Sequence, residues 1–600
     1  MKMLVTVLIT FACLTNAPSV SAETYAQLLA RLPAQTVAAL VTDQSEAALT
    51  QLLRTGPVRV FNGNAFEPFR RSLEKRGQAL TNPLGMPLPW ESSKALVGKG
   101  GFVAAVVETK DTLPEACFLL EMDNNLAAWT KLIASYANSE AAQGAKIDKK
   151  KINGYNALTI TTSKLSTSHT ILFWDKMILV TGSDEIAKLW TEPSVANSNP
   201  AIPSKLIDDD RYKNTIGAIN DAPNSEGAVW LFVDPIRMDY LYSRAGGQAL
   251  TSFTETFAAK HGFDAIRAGG GWSMVGDDQF DARYRLRFWT PGPHVKGMQL
   301  IQWQAISAKS PPKWIPSTNV SSFVRLGWDL QPILGHLGPL VNDAVRMTTG
   351  KSENTFESII EQVKSEDGLG IDLQAELMPL LGPNIEYASV FTPPASETAE
   401  QSIAAIEVSD EAAVAELLGE LLVEDGAIPL TKPGFPYPLW KIGSGKRAGD
   451  SGPTFSTPGA MVAHGRLFFA SNYEAISRFV AVRQQPMSLT SDPLFLKFET
   501  GISKIAGNDP AIRIIAFPAV DFQNTYEMLR TGRADKAESV YTLLLSPMLK
   551  AANGPVSFEW LPAFSHLESV LGPTTIQLNM VDGGWDIQGI NYRAAAVPTE

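Results

Sequence analysis

Chemistry needs particular residue types at particular spacings, and this 600-residue chain offers few such sets. Gly449-Asp450-Ser451-Gly452-Pro453 puts a serine between glycines, as a nucleophile turn does. Acyl transfer also needs a base and an orienting acid beside the serine. The segment lacks the usual second glycine and has no histidine in the expected preceding context, so it reads as a flexible loop. Gly443-Ser444-Gly445-Lys446 is no phosphate loop, because Trp440 stands where the first glycine belongs. Asp208-Asp209-Asp210 could bind a cation, but consecutive carboxylates point in different directions, and a solvated turn opening a helix explains them better. Arg283, Arg285 and Arg287 alternate along one strand and could grip an anionic polymer; charged residues that protect a strand edge are the plainer reading.

The six histidines (169, 261, 294, 336, 464 and 566) form no metal-ligand spacing. Cys117 opens the apolar run Cys117-Phe118-Leu119-Leu120 and reads as a small buried hydrophobe. Glu121 and Glu407 are strand-end acids that the chain's internal repeat places alike. Acid–base work would need both in one cleft; a strand-end glutamate meeting a helix start or a cross-strand arginine is the simpler role. No catalytic, cofactor-binding or metal-ligating residue is assigned, and no cofactor is expected.

The elements that would position these residues come twice. LPAQTVAALV at 32–41 returns as IPSTNVSSFV at 315–324 with an offset of 283, setting Pro33, Val37 and Val41 over Pro316, Val320 and Val324. Leu96-Val97-Gly98 matches Leu380-Leu381-Gly382, and the strand-to-helix passage FLLEMD (118–123) matches AAIEVS (404–409). Asp123 or Asn124 can cap the first helix and Asp410 the second. A hairpin follows in each half, turning at Asp175-Lys176 and at His464-Gly465, with helix starts at Ser183 and Asn472. Leu206-x-x-Asp209 then matches Leu489-x-x-Asp492, and Trp230-Leu231-Phe232-Val233 matches Ile514-Ile515-Ala516-Phe517.

Each half closes on strands of clean period two: Phe280, Ala282, Tyr284, Leu286 and Phe288, then Ile576, Leu578 and Met580. One apolar face implies a sheet packed on one side and favours antiparallel pairing. Between the halves, Pro291, Pro293, Pro311 and Pro312 mark a junction in which Met298–Ile301 reads as a possible strand.

Bulk numbers agree with two cores. Six hundred residues exceed what one core of about 250–300 residues holds. A net charge of −11 opposes attraction to phosphate backbones, so no nucleic-acid partner is expected. Lys2, the apolar stretch from Leu4 to Leu14, and Val20-Ser21-Ala22 form an export signal with cleavage before Glu23. Of the two cysteines, Cys13 leaves with that signal, so no intramolecular disulfide staples the fold. No later segment is apolar enough to span a bilayer, and the mature chain is expected to have no transmembrane segment.

The opening LPAQTVAALV, CFLLEMD, LIDDDRYKN and GDDQFDARYRLRF together resemble an uncharacterised family of bacterial exported proteins, a domain of unknown function with two tandem diverged repeats. The resemblance covers most of the mature chain and implies no activity for particular residues. The expected architecture is α+β, two similar tandem domains, each a mainly antiparallel sheet with packed helices. Its parts are signal peptide 1–22, repeat domain 23–290, junction 291–314 and repeat domain 315–600. The expected function is that of an exported, noncatalytic binding, scaffold or assembly protein of the bacterial envelope, periplasmic, cell-surface or extracellular. Its partner is an unknown envelope protein or ligand. The alternative is an exported hydrolase acting on an envelope polymer, marked by acids and histidines converging in one pocket; an apolar groove would mark the binder. A lipid-handling component with an apolar tunnel is a third reading.

Overall fold

Strands form where β-branched and aromatic residues run between glycine, asparagine and aspartate turns. The computed structural model describes residues 24–77, 100–108, 115–122, 126–161, 168–174, 176–192, 205–221, 227–238, 257–276, 280–307, 312–349, 355–365, 371–424, 426–430, 436–443, 457–482, 488–533 and 558–594. The signal with Cys13, Gly98, Asp123, Asn124, Asp175 and the Ser451 loop lie outside the described residues, as do Ser444, Gly445 and Lys446. The chain divides into two compact units: 1–59, 76–293 and 582–586 form the first; 60–75, 294–581 and 587–600 form the second.

In the first unit the strands are β1 (Thr36–Thr42), β2 (Phe102–Val107), β3 (Glu115–Glu121), β4 (Lys146–Ile152) and β5 (Tyr155–Thr161). They continue as β6 (Ser168–Trp174), β7 (Met177–Thr181), β8 (Val229–Val233), β9 (Ala268–Val275) and β10 (Phe280–Trp289). Their order is β4-β5-β6-β7-β3-β2-β1-β8-β9-β10, antiparallel at each step.

The second unit has β11 (Val320–Gly327), β12 (Leu381–Phe391), β13 (Glu400–Val408), β14 (Ile428–Leu430) and β15 (Leu439–Lys441). After them come β16 (Gly459–Ala463), β17 (Arg466–Ala470), β18 (Ile512–Ala516), β19 (Thr574–Val581) and β20 (Gly584–Tyr592), whose first three residues count with the first unit. The order is β14-β15-β16-β17-β13-β12-β11-β18-β19-β20, again antiparallel. The two orders are the same, strand for strand.

Smaller features agree as well. An isolated bridge joins Pro33 to Lys205 in one unit and Pro316 to Ser488 in the other, both keeping the 283-residue offset. The Leu206 amide donates to Leu32 O at 2.9 Å, and the Leu489 amide to Ile315 O at 2.9 Å. Asp209 accepts the Arg211 amide and Asp492 the Leu494 amide, each at 2.8 Å, so both open helices as expected. The first strand of each unit carries a bulge, at Val37 and at Ser321.

The bulges correct the sequence alignment. By strand position Val37 corresponds to Ser321 and Val41 to Arg325, not to Val320 and Val324, because the segment after the proline is one residue longer in the second unit. Trp230 likewise corresponds to Arg513, not Ile514: Trp230 pairs with Val41 as Arg513 pairs with Arg325.

Helices cover both faces of each sheet, which overturns the expectation of packing on one side only. In the first unit, α1 (Tyr25–Arg31) lies against one face, where Leu28 and Leu29 join Val41, Val103, Leu119 and Trp230. The other face meets α2 (Leu126–Ala142), where Ile133, Tyr136 and Ala137 pack on Phe102, Phe118 and Ile178. The first face also receives α3 (Asp184–Thr191) through Ile186 and Trp190. In the second unit α4 (Glu411–Glu424) presents Val414, Leu418 and Leu422 to one face. Opposite it, α5 (Tyr473–Val482) and α6 (Pro493–Ala506) bring Ile476, Phe479 and Phe495 to the other. Each leucine, isoleucine, valine or phenylalanine among them contributes roughly 1.5–3 kcal/mol on burial. Central strands such as β2, β7 and β16 are therefore buried on both sides rather than alternating. The junction segment Lys296–Ile301 is a 3-10 helix with Met298 buried, not a strand.

Candidate functional site

Glu121 and Glu407, the strand-end acids that the sequence sets in like positions, come first. Glu121 ends β3, is buried, and accepts the Gly101 amide at 2.8 Å; a Cβ on Gly100 would meet its carboxylate at 2.7 Å. Glu407, next to last in β13, stands opposite Arg466, accepts from the Asn384 amide, and packs as closely on Gly382. Each glutamate belongs to its own unit, Glu121 held by an amide just before β2 and Glu407 by a side chain of β12. The donors seen are a backbone amide and an asparagine side chain, where a helix start or a cross-strand arginine was expected.

Around Glu407 the second unit holds a buried ionic network. Arg325 and Arg513 stand directly opposite each other on β11 and β18, and both donate to Glu499 of α6, at 2.9 and 3.3 Å. Arg513 also donates to Gln577 of β19. Burial, and then the neighbouring Arg325 charge, push the Arg513 guanidinium below its ordinary value despite Glu499. On β12, Glu386 takes Arg466 through Nε at 3.1 Å and Nη2 at 3.3 Å, and the Trp314 indole at 3.0 Å. A cavity of about 140 Å³ beside it is lined by Pro312, Lys313, Trp314, His464 and Arg466. His464 sits at φ 57° in the β16–β17 turn and shares a 3.0 Å hydrogen bond with the Tyr437 hydroxyl. The carboxylates here are spent on arginines and amides, which suits structure better than proton transfer.

The remaining nominated residues disperse. Asp209 grips Arg211, whose guanidinium also reaches Asp234 at 3.1 Å and Ala34 O at 2.7 Å, while Asp208 and Asp210 are exposed. Burial pushes the Asp209 carboxyl up, but the Arg211 guanidinium and amide outweigh it and hold it below its usual range. Arg285 lies between Asp221 and Asp586, Arg283 lies over the Trp272 ring at 5.6 Å, and Arg287 donates to Asp582 O at 3.3 Å. These arginines are therefore individually engaged. On β10 both sets of alternate residues are mostly half-buried, so the expected clean two-faced pattern is not seen there. Cys117 is fully buried, and burial first, then the Glu115 charge, push its thiol far up. Among the described residues no group of three or more His, Cys, Asp or Glu side chains could hold a metal ion.

A different kind of site lies between α2 and the β4–β6 end of the first sheet, where sequence reading nominated nothing. It is a groove of about 430 Å³, floored by Ile133, Ile147, Leu158 and Phe173. Its space lies beside small residues of α2, Ala134 and Ala137. Strand alternation places Lys149 on the groove face, because it pairs with Leu158. Lys150 points the other way and binds Asp184, whose carboxylate also takes Thr159 and Thr170. Burial of the Asp184 carboxyl is outweighed by Lys150 and the two threonines, leaving it below its usual range.

In the second unit the corresponding place is filled. Trp440 of β15 is buried there against Leu418, Leu422, Ala460 and Val462. By strand pairing Trp440 occupies the position that Leu158 holds in the first unit. No signal in the sequence marked the groove, because alanines on a helix look ordinary until the elements meet.

No family model matches this chain, and no curated protein or solved structure is similar enough to match it.

Proposed function

We propose that the chain is an exported, noncatalytic binding protein of the bacterial envelope, built from two diverged copies of one domain. The observation that carries the binding part is the apolar groove of the first unit, whose size of about 430 Å³ falls within the range of about 300–1,000 Å³ usual for small-molecule sites. Two diverged copies are supported by the common strand order, the paired bridges at one offset and the bulge at the same point of β1 and β11. Export rests on the sequence of residues 1–22.

One experiment tests export and groove binding together. The full-length chain is produced in a bacterial host, recovered by osmotic shock without detergent, and weighed by native mass spectrometry. The expected species begins at Glu23 and carries a small-molecule adduct that the Ala134→Trp variant lacks. A chain left uncut in the cytosol refutes export. An adduct that is absent, or unchanged in Ala134→Trp, refutes binding in the groove.

A further inference from the structure

The groove's polar groups are unevenly signed. Asn138, Asn156, Thr130, Lys149 and Lys150 are its polar lining residues, and no Asp or Glu is among the described residues that line it. Lys149 is exposed at the rim and makes no ion pair among the described residues; Lys151, two residues on, shares its strand face and is also exposed. The nearest acid on α2 that acts on this region is Glu140, which faces His169 and Tyr136. Asp148 and Asp184 both neighbour Lys150. An apolar floor with cations and amide donors at the mouth is complementary to an alkyl chain ending in an anion.

We infer that the groove takes a single-chain anionic amphiphile, its alkyl chain between α2 and the sheet and its carboxylate or phosphate head at Lys149. This rests on the proposed reading of the groove as a binding site. The volume suits one chain rather than two. A cationic head would meet Lys149 and be repelled, and a neutral head would forgo the charge-assisted contact. The second unit should bind no such molecule, because its own Trp440 fills the corresponding place.

The test is calorimetric titration of the full chain with octanoate, decanoate and dodecanoate, beside decyl phosphate, decanol and decylammonium. Affinity should rise about fourfold for each methylene added. Decanoate or decyl phosphate should bind about fivefold or more tightly than decanol, and decylammonium should bind least. The stronger of the two anions identifies the head group. Lys149→Gln should cost the anions about three- to fivefold, as expected of an exposed charge contact, and leave decanol unchanged. Ala134→Trp, at an exposed helix position, should abolish all binding while Cys117 stays protected from thiol reagent, which shows that the unit remains folded. If decanol and decanoate bind alike and Lys149→Gln changes neither, the anionic-head inference falls while the groove reading stands. If no alkyl compound binds, or Ala134→Trp binds as well as the parent, the groove reading itself falls.

Discussion

Replacing Arg211 with methionine should cripple the first unit without touching the second. The guanidinium is buried and donates to two carboxylates and two carbonyls: Asp209 at 2.8 and 3.1 Å, Asp234 at 3.1 Å, Ala34 O at 2.7 Å and Thr36 O at 3.5 Å. Methionine fills similar space but leaves Asp209 and Asp234 facing each other with their shared cation gone. Breaking a buried ion pair from one side costs about 3–5 kcal/mol, chiefly through the charge left behind. Arg211→Lys keeps the charge and loses the fork, so it should fall in between.

The readout must be specific to one unit, because two units do not unfold as a single two-state system. Cys117 supplies it: with Cys13→Ser it is the only thiol in the chain, and it is wholly buried in the first unit. Its labelling by a thiol reagent in mild denaturant then follows the opening of that unit. A loss of about 3–5 kcal/mol accelerates labelling by about two to almost four orders of magnitude. A change below about tenfold, worth roughly 1.4 kcal/mol, would refute the claim that Arg211 neutralises both Asp209 and Asp234.

Three further outcomes follow from the same geometry. The Arg211→Met penalty should shrink as pH falls: Asp209 has its folded pKa lowered from 3.8, so its stabilisation is complete above that value and lost as pH drops through the folded one. Labelling of the parent and the variant should therefore converge in acid, and a constant gap down to pH 2 would contradict this. Gly271→Ala should break the β9–β10 pairing, since its Cβ would lie 1.9 Å from Arg285 O. A cost of about 1–3 kcal/mol or more is expected, read as faster Cys117 labelling; unchanged labelling would mean the backbone yields freely. Trp440→Leu should place in the second unit the side chain that the first carries at Leu158, costing about 2–4 kcal/mol. Hydrogen exchange in α4, β15 and β16 should quicken, and undisturbed protection there would show that the indole is not what fills that space.

What the sequence disclosed was local. Asp410 and Ser183 cap their helices, Asp209 and Asp492 accept the amide two residues on, and His464-Gly465 turns a hairpin with both residues at positive φ. Each of these is settled within a few residues of chain. Register was less legible because it is settled between strands. Matching apolar to apolar put Val41 over Val324 and Trp230 over Ile514, one residue out in both cases, where pairing sets them against Arg325 and Arg513. Covering on both faces was hidden for a related reason, since an all-buried run such as Phe102–Val107 carries no alternation to read. The groove was hidden most completely: it is volume left between α2 and β4–β6, and no residue of either element announces it.

The two units spend polarity on opposite faces. Val41, Val103, Trp230, Trp272 and Met177 close the first core; by strand pairing the second unit has Arg325, Glu386, Arg513, Gln577 and Arg466 at those places. A buried ion network seldom stabilises more than an apolar set of similar volume, and the first unit shows this frame closing with the apolar one. The network is thus not demanded by the frame. On the other face the contrast reverses: the second unit is filled by Trp440 where the first is hollow beside Leu158 and Ala137. On the proposed duplication, copies free to differ have divided the work. One pairs an apolar sheet face with an open groove, and the other pairs a charged sheet face with a filled layer, which sets the proposed ligand binding in the first.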